Sequence, residues 1–167
     1  MQRMKPTVYV ETSVISYLTA RPSTNVIVLA HQEITRQWWA TRDRYALYAS
    51  RLVEIEAARG DAAAATLRLE ALIGMPQLSI ADEVNDLAAA LLRNAALPTA
   101  AFDDAIHVAI CAVSGIDYLL SWNCKHIANA LKYGAISRCC EAHGFTAPMI
   151  CTPDLLLAGE DGESDVE

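Results

Sequence analysis

Three carboxylates and one amide stand where a chain could gather them for metal chemistry: Glu11, Glu56, Asp104 and Asn123. Glu11 directly follows Thr7–Val10, a β-branched and aromatic run with the composition of a buried strand. Glu56 lies in a helical stretch after a second short apolar run, ahead of Gly60. Asp104 comes early in a helix after Pro98, and Asn123 follows Ser121-Trp122 at the end of another strand. Mg²⁺ is a hard cation that takes oxygen ligands and keeps several waters, so a few carboxylates plus a substrate phosphate complete its shell. A cation held this way can activate a water, orient it in line and neutralise charge on the leaving oxygen. Without a cation, converging carboxylates repel one another and raise their own pKa values.

Each residue has a plainer reading. Glu11 could be a charge at a helix N-terminus. Glu54 competes with Glu56, which has Arg51 and Arg59 as possible ion-pair partners, and Asp103 competes with Asp104. On a helical wheel Phe102, Ile106, Ala109 and Val113 form the core stripe, and Asp103, Asp104, His107 and Cys111 lie away from it. Asp103 and His107 would offer zinc two ligands one turn apart, with no third at hand. Asn123 is at most a neutral oxygen ligand, and Asn after a strand is commonly a cap or turn residue.

The elements that must position these groups alternate. After the first strand, Thr12 and Ser13 can cap a helix. Ala20–Thr24 reads as a turn, and helical spacing of Val26, Leu29, Ala30, Ile34 and Trp38 predicts a helix capped by Ser23 or Thr24. Tyr45–Ala49 is a strand, Ser50 opens a helix ending at Gly60, and Asp61 caps an Ala-rich helix stopping near Gly74–Pro76. Gln77–Ile80 is a strand and Asp82 starts the next helix. The helix carrying Asp104 closes at Gly115; Tyr118–Ser121 is a strand, Cys124–Lys132 and Ser137–His143 are helices, and Met149–Cys151 is a last strand. This alternation predicts an α/β architecture with a parallel sheet, whose ligands gather outside the carboxyl ends of the strands.

The chain has 167 residues, one domain's worth, expected to span 1–154 with an acidic, disordered tail over 155–167. Of the net charge of −7, five acids fall in the last nine residues, so taking these away leaves −2 for the rest. That is not the basic surface of a sequence-specific DNA binder, although a bound cation can supply positive charge where a phosphate must sit. Hydrophobic residues make up 53% with a mean hydropathy of +0.20, yet scattered charges break every apolar run short of the ~18 residues of a membrane span. The basic opening is interrupted by Pro6 and carries Glu11, a poor signal peptide, so a cytoplasmic location is expected. The five cysteines lack zinc-type spacing and read as reduced, mostly buried thiols.

Taken together, four stretches resemble the PIN-domain family, and within it the VapC-type toxin ribonucleases. Val8–Leu18 is similar to the family's opening strand and turn, with Glu11-Thr12-Ser13 where Asp-Thr-Ser is usual. Ser50–Asp61 resembles the second motif and selects Glu56 over Glu54. Asp103–Ala109 resembles Asp-Ala-x-His-x-Ala and selects Asp104. Leu119–Asn129, which reads Leu-Leu-Ser-Trp-Asn-Cys-Lys-His-Ile-Ala-Asn, is the most specific match. The resemblance covers residues 7–154. It implies a three-layer α/β/α domain with a parallel sheet of about five strands, and a Mg²⁺- or Mn²⁺-dependent ribonuclease leaving a 5′-phosphate and a 3′-hydroxyl. Glu11, Glu56 and Asp104 would bind the cation. Asn123 would hold a water of its shell or a phosphate oxygen.

Ser13 would orient Glu11, and Thr12 would contact phosphate. Lys125 and His126 would meet the RNA backbone, and Arg36, Arg42, Arg44, Arg51 and Arg59 would form either a phosphate-contacting rim or surface ion pairs. The resemblance further implies a small antitoxin partner and homodimers, and Trp38-Trp39 offers an apolar contact surface. Two departures stand out: Glu11 is one methylene longer than Asp, and Asn123 replaces an acid, which weakens metal binding. The competing readings are a PIN-like binding module without catalysis and another carboxylate–Mg²⁺ hydrolase; Glu11 argues against a phosphotransferase, which needs Asp directly after its first strand.

Overall fold

The computed structural model describes residues 4–94 and 96–158. The apolar run at Thr7–Val10 forms β1, three of whose four residues are fully buried. Thr12–Thr19 follows as α1; it stops before Pro22, which cannot continue a helix. Val26–Ala40 is α2, capped by Asn25, whose Oδ1 accepts from Ile27 N at 3.0 Å and Val28 N at 3.2 Å. The expected caps, Ser23 and Thr24, are displaced because only Asn25 sits where its side chain reaches two first-turn N–H groups. Ala46–Ser50 is β2, and Ser50 caps α3 (Arg51–Ala57) through Val53 N. Asp61 caps α4 (Ala62–Ala71) as expected. A short β3 at Gln77–Leu78 leads to α5 (Asp82–Arg93), then α6 (Phe102–Ser114). Gly115 closes α6 at φ 66°, the left-handed position that favours glycine.

β4 is Tyr118–Leu120, α7 is Ala130–Ala142, β5 is Met149–Cys151 and α8 is Pro153–Ala158. The two helices expected at Cys124–Lys132 and Ser137–His143 are therefore one. Residues 124–128 form a turn in which Ile127 N and Ala128 N both bond Asn123 O, at 3.0 and 2.8 Å. Asn129 then caps α7, and Gly134 lies inside the helix without ending it. The tail boundary expected at 154 falls within α8, whose Leu156 and Leu157 pack against the core; residues 159–167 lie outside the described ones.

All five strands pair in parallel in the order β3-β2-β1-β4-β5. The chain thus winds outward from β1 to one edge, crosses back, and winds to the other. Helices α1 to α4 and α8 contact one another, and α5, α6 and α7 form a second contacting set. Right-handed crossovers from a sheet whose order reverses produce this division, giving helix, sheet and helix layers. The order reverses between β1 and β4, and their carboxyl ends carry Glu11 and Ser121.

The helical wheel of α6 needs correction. Every residue from Ala105 to Ala112 is buried, His107 and Cys111 included, while Phe102 is 51% exposed. A helix with neighbours on nearly every side has no single core stripe. Four cysteines are buried and free, and Cys124 is exposed. Burial holds the Cys140 and Cys151 thiols up to about 12, so both are weak nucleophiles. Trp38 is core; Trp39 is half-buried beneath the Arg42 guanidinium, 4.9 Å from the ring centroid.

Leu119 sits at the centre of β4 with no exposed surface. Leu119→Ala should lower the unfolding free energy by about 2–5 kcal/mol. Leu131→Ala, at a side chain 96% exposed, should change it by under about 0.5 kcal/mol. Urea titration compares the two.

Candidate metal centre

Parallel pairing sets the site's geometry. Val10 lies opposite Leu120, and Glu11 N donates to Leu120 O at 3.0 Å, continuing the ladder by one residue. The first residues after β1 and β4 are thereby forced side by side. Ser121 Oγ donates to Glu11 Oε2 at 2.8 Å, and Ser13 Oγ donates to the same oxygen. Trp122 N donates to Ser13 Oγ at 2.9 Å and Asn123 N to Ser121 Oγ at 2.9 Å. Both hydroxyls are therefore aimed by backbone N–H groups, and Glu11, 5% exposed, is gripped through Oε2 alone.

Glu56 comes from α3, where the helix brings it back toward the sheet. Its Oε1 bonds His107 Nε2 at 2.8 Å. Glu11, Glu56 and His107 each offer a ligand atom, all within 4.8 Å of one another, the one such group among the described residues. Burial favours the neutral form of Glu56, but the His107 hydrogen bond and charge, with Thr12 and Arg59 adding, outweigh it and hold the carboxyl below its usual range. Burial would likewise lower His107; its bond to Glu56 and the charges of Glu11, Glu56 and Asp104 outweigh that and raise it. Thr12 Oγ1 is buried and has no hydrogen-bond partner of ordinary geometry within the described residues, although Thr12 is close enough to Glu56 to help lower its pKa.

Asp104 stands outside that close group. It belongs to a second cluster linked to Glu11 by the loop after β4. Asn123 Nδ2 donates to Asp104 Oδ1 at 3.0 Å, and Asn123 Oδ1 accepts from His126 N at 3.2 Å. His126 Nδ1 bonds Asp104 Oδ2 at 2.7 Å. The amide is suited to this place: an aspartate there would oppose Asp104 with a second acceptor instead of a donor. Asn123, expected to hold a water of the cation's shell or a phosphate oxygen, is here hydrogen-bonded to Asp104 and to the backbone of His126.

The competing acids are occupied elsewhere. Glu54 pairs with Arg51 at 2.7 Å and accepts from Gln77, and Asp103 meets Arg59 at 3.8 Å. His107 reaches Glu56 rather than Asp103, so the zinc pair read from the sequence does not form. Arg36 pairs with Glu33 at 2.5 Å, and Arg42 covers Trp39, so the surface ion-pair reading suits Arg36 and Arg51 better than a phosphate rim. Ser13 Oγ is hydrogen-bonded to Glu11 Oε2. Lys125 is exposed and His126 is engaged with Asp104.

The donor set fits a hard divalent cation. A buried carboxylate, Glu11, and a half-buried one, Glu56, converge, and both hydrogen bonds to Glu11 fall on Oε2, leaving Oε1 without one among the described residues. Carboxylate oxygens at a strand-end crevice are what Mg²⁺ or Mn²⁺ takes.

Sequence reasoning missed His107 and Tyr9 as members of this site. Tyr9 OH lies 2.7 Å from His107 Nδ1 and 2.7 Å from Ser50 Oγ. The signal was present: a tyrosine inside a buried strand and a histidine inside an apolar helix both need polar partners.

The signs of the two shifts define a stability window for the metal-free protein. His107, raised from 6.5, stabilises the fold fully below that value and loses its contribution as pH rises through its folded pKa. Glu56, lowered from 4.5, contributes above that value and loses its share as pH falls through its folded pKa. His107→Gln should therefore lose most stability between about pH 4.5 and 6.5 and progressively less on the alkaline side. Urea titrations at pH 6 and pH 9 giving one and the same deficit would contradict this.

No protein-family model matches the chain, and no curated protein matches it. Among solved structures it is similar to the crystal structure of VapC20 of Mycobacterium tuberculosis, a sarcin–ricin loop cleaving toxin. The identity is 17% and the TM-score 0.54, over 84% of this chain and 99% of that one. At this identity the likeness speaks for the fold, and the five-stranded parallel sheet between helices is the one that the sequence motifs implied. The chain shares with that structure an α/β fold, here a five-stranded parallel sheet flanked by helices.

Proposed function

We propose that this protein is a Mg²⁺- or Mn²⁺-dependent endoribonuclease acting as the toxin of a toxin–antitoxin pair. One observation carries the reading: Glu11 and Glu56, distant in the chain, converge with His107 within 4.8 Å where the strand order reverses. The VapC20 likeness supports a nuclease of this architecture.

Glu11, Glu56 and Asp104 hold the cation, directly or through water. When bound, the cation supplies charge neutralisation on the phosphodiester and makes water a competent nucleophile near neutral pH. Ser13 and Ser121 fix Glu11 through one oxygen and leave the other to face the cation. Asn123 and His126 hold Asp104 through both of its oxygens. Thr12 receives a phosphate oxygen at the start of α1, where backbone N–H groups and the helix dipole favour an anion. Lys125, exposed beside the site, meets the RNA backbone. The products carry a 5′-phosphate and a 3′-hydroxyl. The protein works in the cytoplasm as a homodimer, restrained by a small antitoxin. No helix among the described residues is long and apolar enough to cross a membrane.

A second reading, a PIN-like module that binds without cutting, is favoured by two features. Both oxygens of Asp104 are already hydrogen-bonded, and the fourth acid position holds Asn123. Cleavage separates the two. Purified protein should cut RNA with Mg²⁺ or Mn²⁺ and stop in EDTA, and Glu11→Gln should lower kcat by at least about 100-fold while leaving the thermal midpoint near that of the parent. Cutting that persists in EDTA would refute the metal mechanism. Mn²⁺ uptake without any cutting would favour the binding module.

A further inference from the structure

His107 lies in a continuous hydrogen-bonded chain whose direction can be read from its ends. Val53 N donates to Ser50 Oγ at 3.4 Å, so Ser50 spends an acceptor position on the N-terminus of α3. Ser50 is fully buried, and its own proton has one acceptor within reach among its hydrogen bonds, Tyr9 Oη at 2.7 Å. Tyr9 has no exposed surface, so its buried phenol must find its hydrogen-bond partners inside the protein. With Ser50 donating to it, Tyr9 must send its proton to His107 Nδ1, 2.7 Å away. The imidazole proton is then on Nε2, 2.8 Å from Glu56 Oε1. The opposite direction would leave the buried Ser50 proton without an acceptor, which costs about 1–3 kcal/mol.

We propose that His107 is a positioning residue for Glu56. Tyr9 and Ser50 fix its neutral ring as the Nε2–H tautomer, and that N–H holds Glu56 Oε1 so that the other carboxylate oxygen serves the cation. The relay closes on itself: Ser50 caps the helix that carries Glu56, and the chain from that cap returns to Glu56 through β1 and α6. The chain thereby ties the N-terminus of α3 to the side chain of Glu56 near its C-terminus. The role parallels the general one of outer hydrogen bonds at metal sites, which orient a ligand and tune its affinity. This inference rests on the cation reading given above, and the experiment keeps the two apart.

The first arm needs no metal. Nitrogen-15 NMR of the wild-type protein at pH 9, where the ring is neutral, should show His107 protonated on Nε2 with Nδ1 as acceptor; an Nδ1–H ring would overturn the relay. The second arm is calorimetric titration with Mn²⁺ alone. His107→Leu should weaken uptake about tenfold or more, and His107→Gln, whose amide can still donate to Glu56, should stay within about threefold of the parent. Circular dichroism checks that both variants are folded. Should wild type and His107→Leu take up Mn²⁺ equally, the positioning role fails and the cation site stands. Should wild type take up none, the cation reading fails and takes the positioning role with it.

Discussion

The parallel pairing of β1 with β4 is the constraint on which the site depends. Register places Val10 opposite Leu120, and the ladder runs one residue further through Glu11 N. The Glu11 cluster begins at that point, where β1 and β4 end and their chains diverge. Ser13 and Ser121 sit on the two diverging chains and both donate to Glu11. A slip by one residue would send Glu11 to the opposite face and bury a charge among the helices. The fully buried residues of β1 and β4 (Val8, Tyr9, Val10, Leu119 and Leu120) are what make such a slip costly.

A cluster of acids at such a crevice must be reconciled with low dielectric. Here each carboxylate has its own donors: serine hydroxyls for Glu11, an imidazole for Glu56, an amide and an imidazole for Asp104. Charge-assisted bonds of this kind favour the ionised form and offset desolvation. The lowered pKa of Glu56, despite burial, is that balance made visible. The same donors also set orientation: Glu11 is held through Oε2 and Glu56 through Oε1, whereas Asp104 is held through both oxygens. The carboxylates are thus oriented by the protein's own donors, an arrangement that would reduce the ordering a bound cation requires.

Asn123 illustrates how a departure from a motif can be structural compensation. Its amide bridges Asp104 and the turn that precedes α7, using its donor on one side and its acceptor on the other. The same residue's carbonyl receives Ile127 N and Ala128 N, and this turn is why the expected helix at Cys124 does not begin until Ala130. One residue therefore joins the second acidic cluster to the local course of the backbone.

Strand and helix alternation and the caps of α3 and α4 were legible in the sequence because they are local: β-branched runs, Ser and Asp before helices, Gly after them. Glu11, Glu56 and Asp104 were named from motif and position, and Ser50 and Asp61 were identified as caps. What could not be read was anything set by distance across the sheet. Tyr9 and His107 look like a strand aromatic and an off-stripe helical histidine until α6 is buried on nearly every side and the two rings meet. The grouping of Glu11 with Glu56 and His107, and the separate clamp on Asp104, follow from how α3 and α6 pack onto the carboxyl ends of β1 and β4. Sequence periodicity fixes which face a residue occupies on its own element; only packing decides which other element lies opposite that face, and so which hydrogen bond the side chain makes.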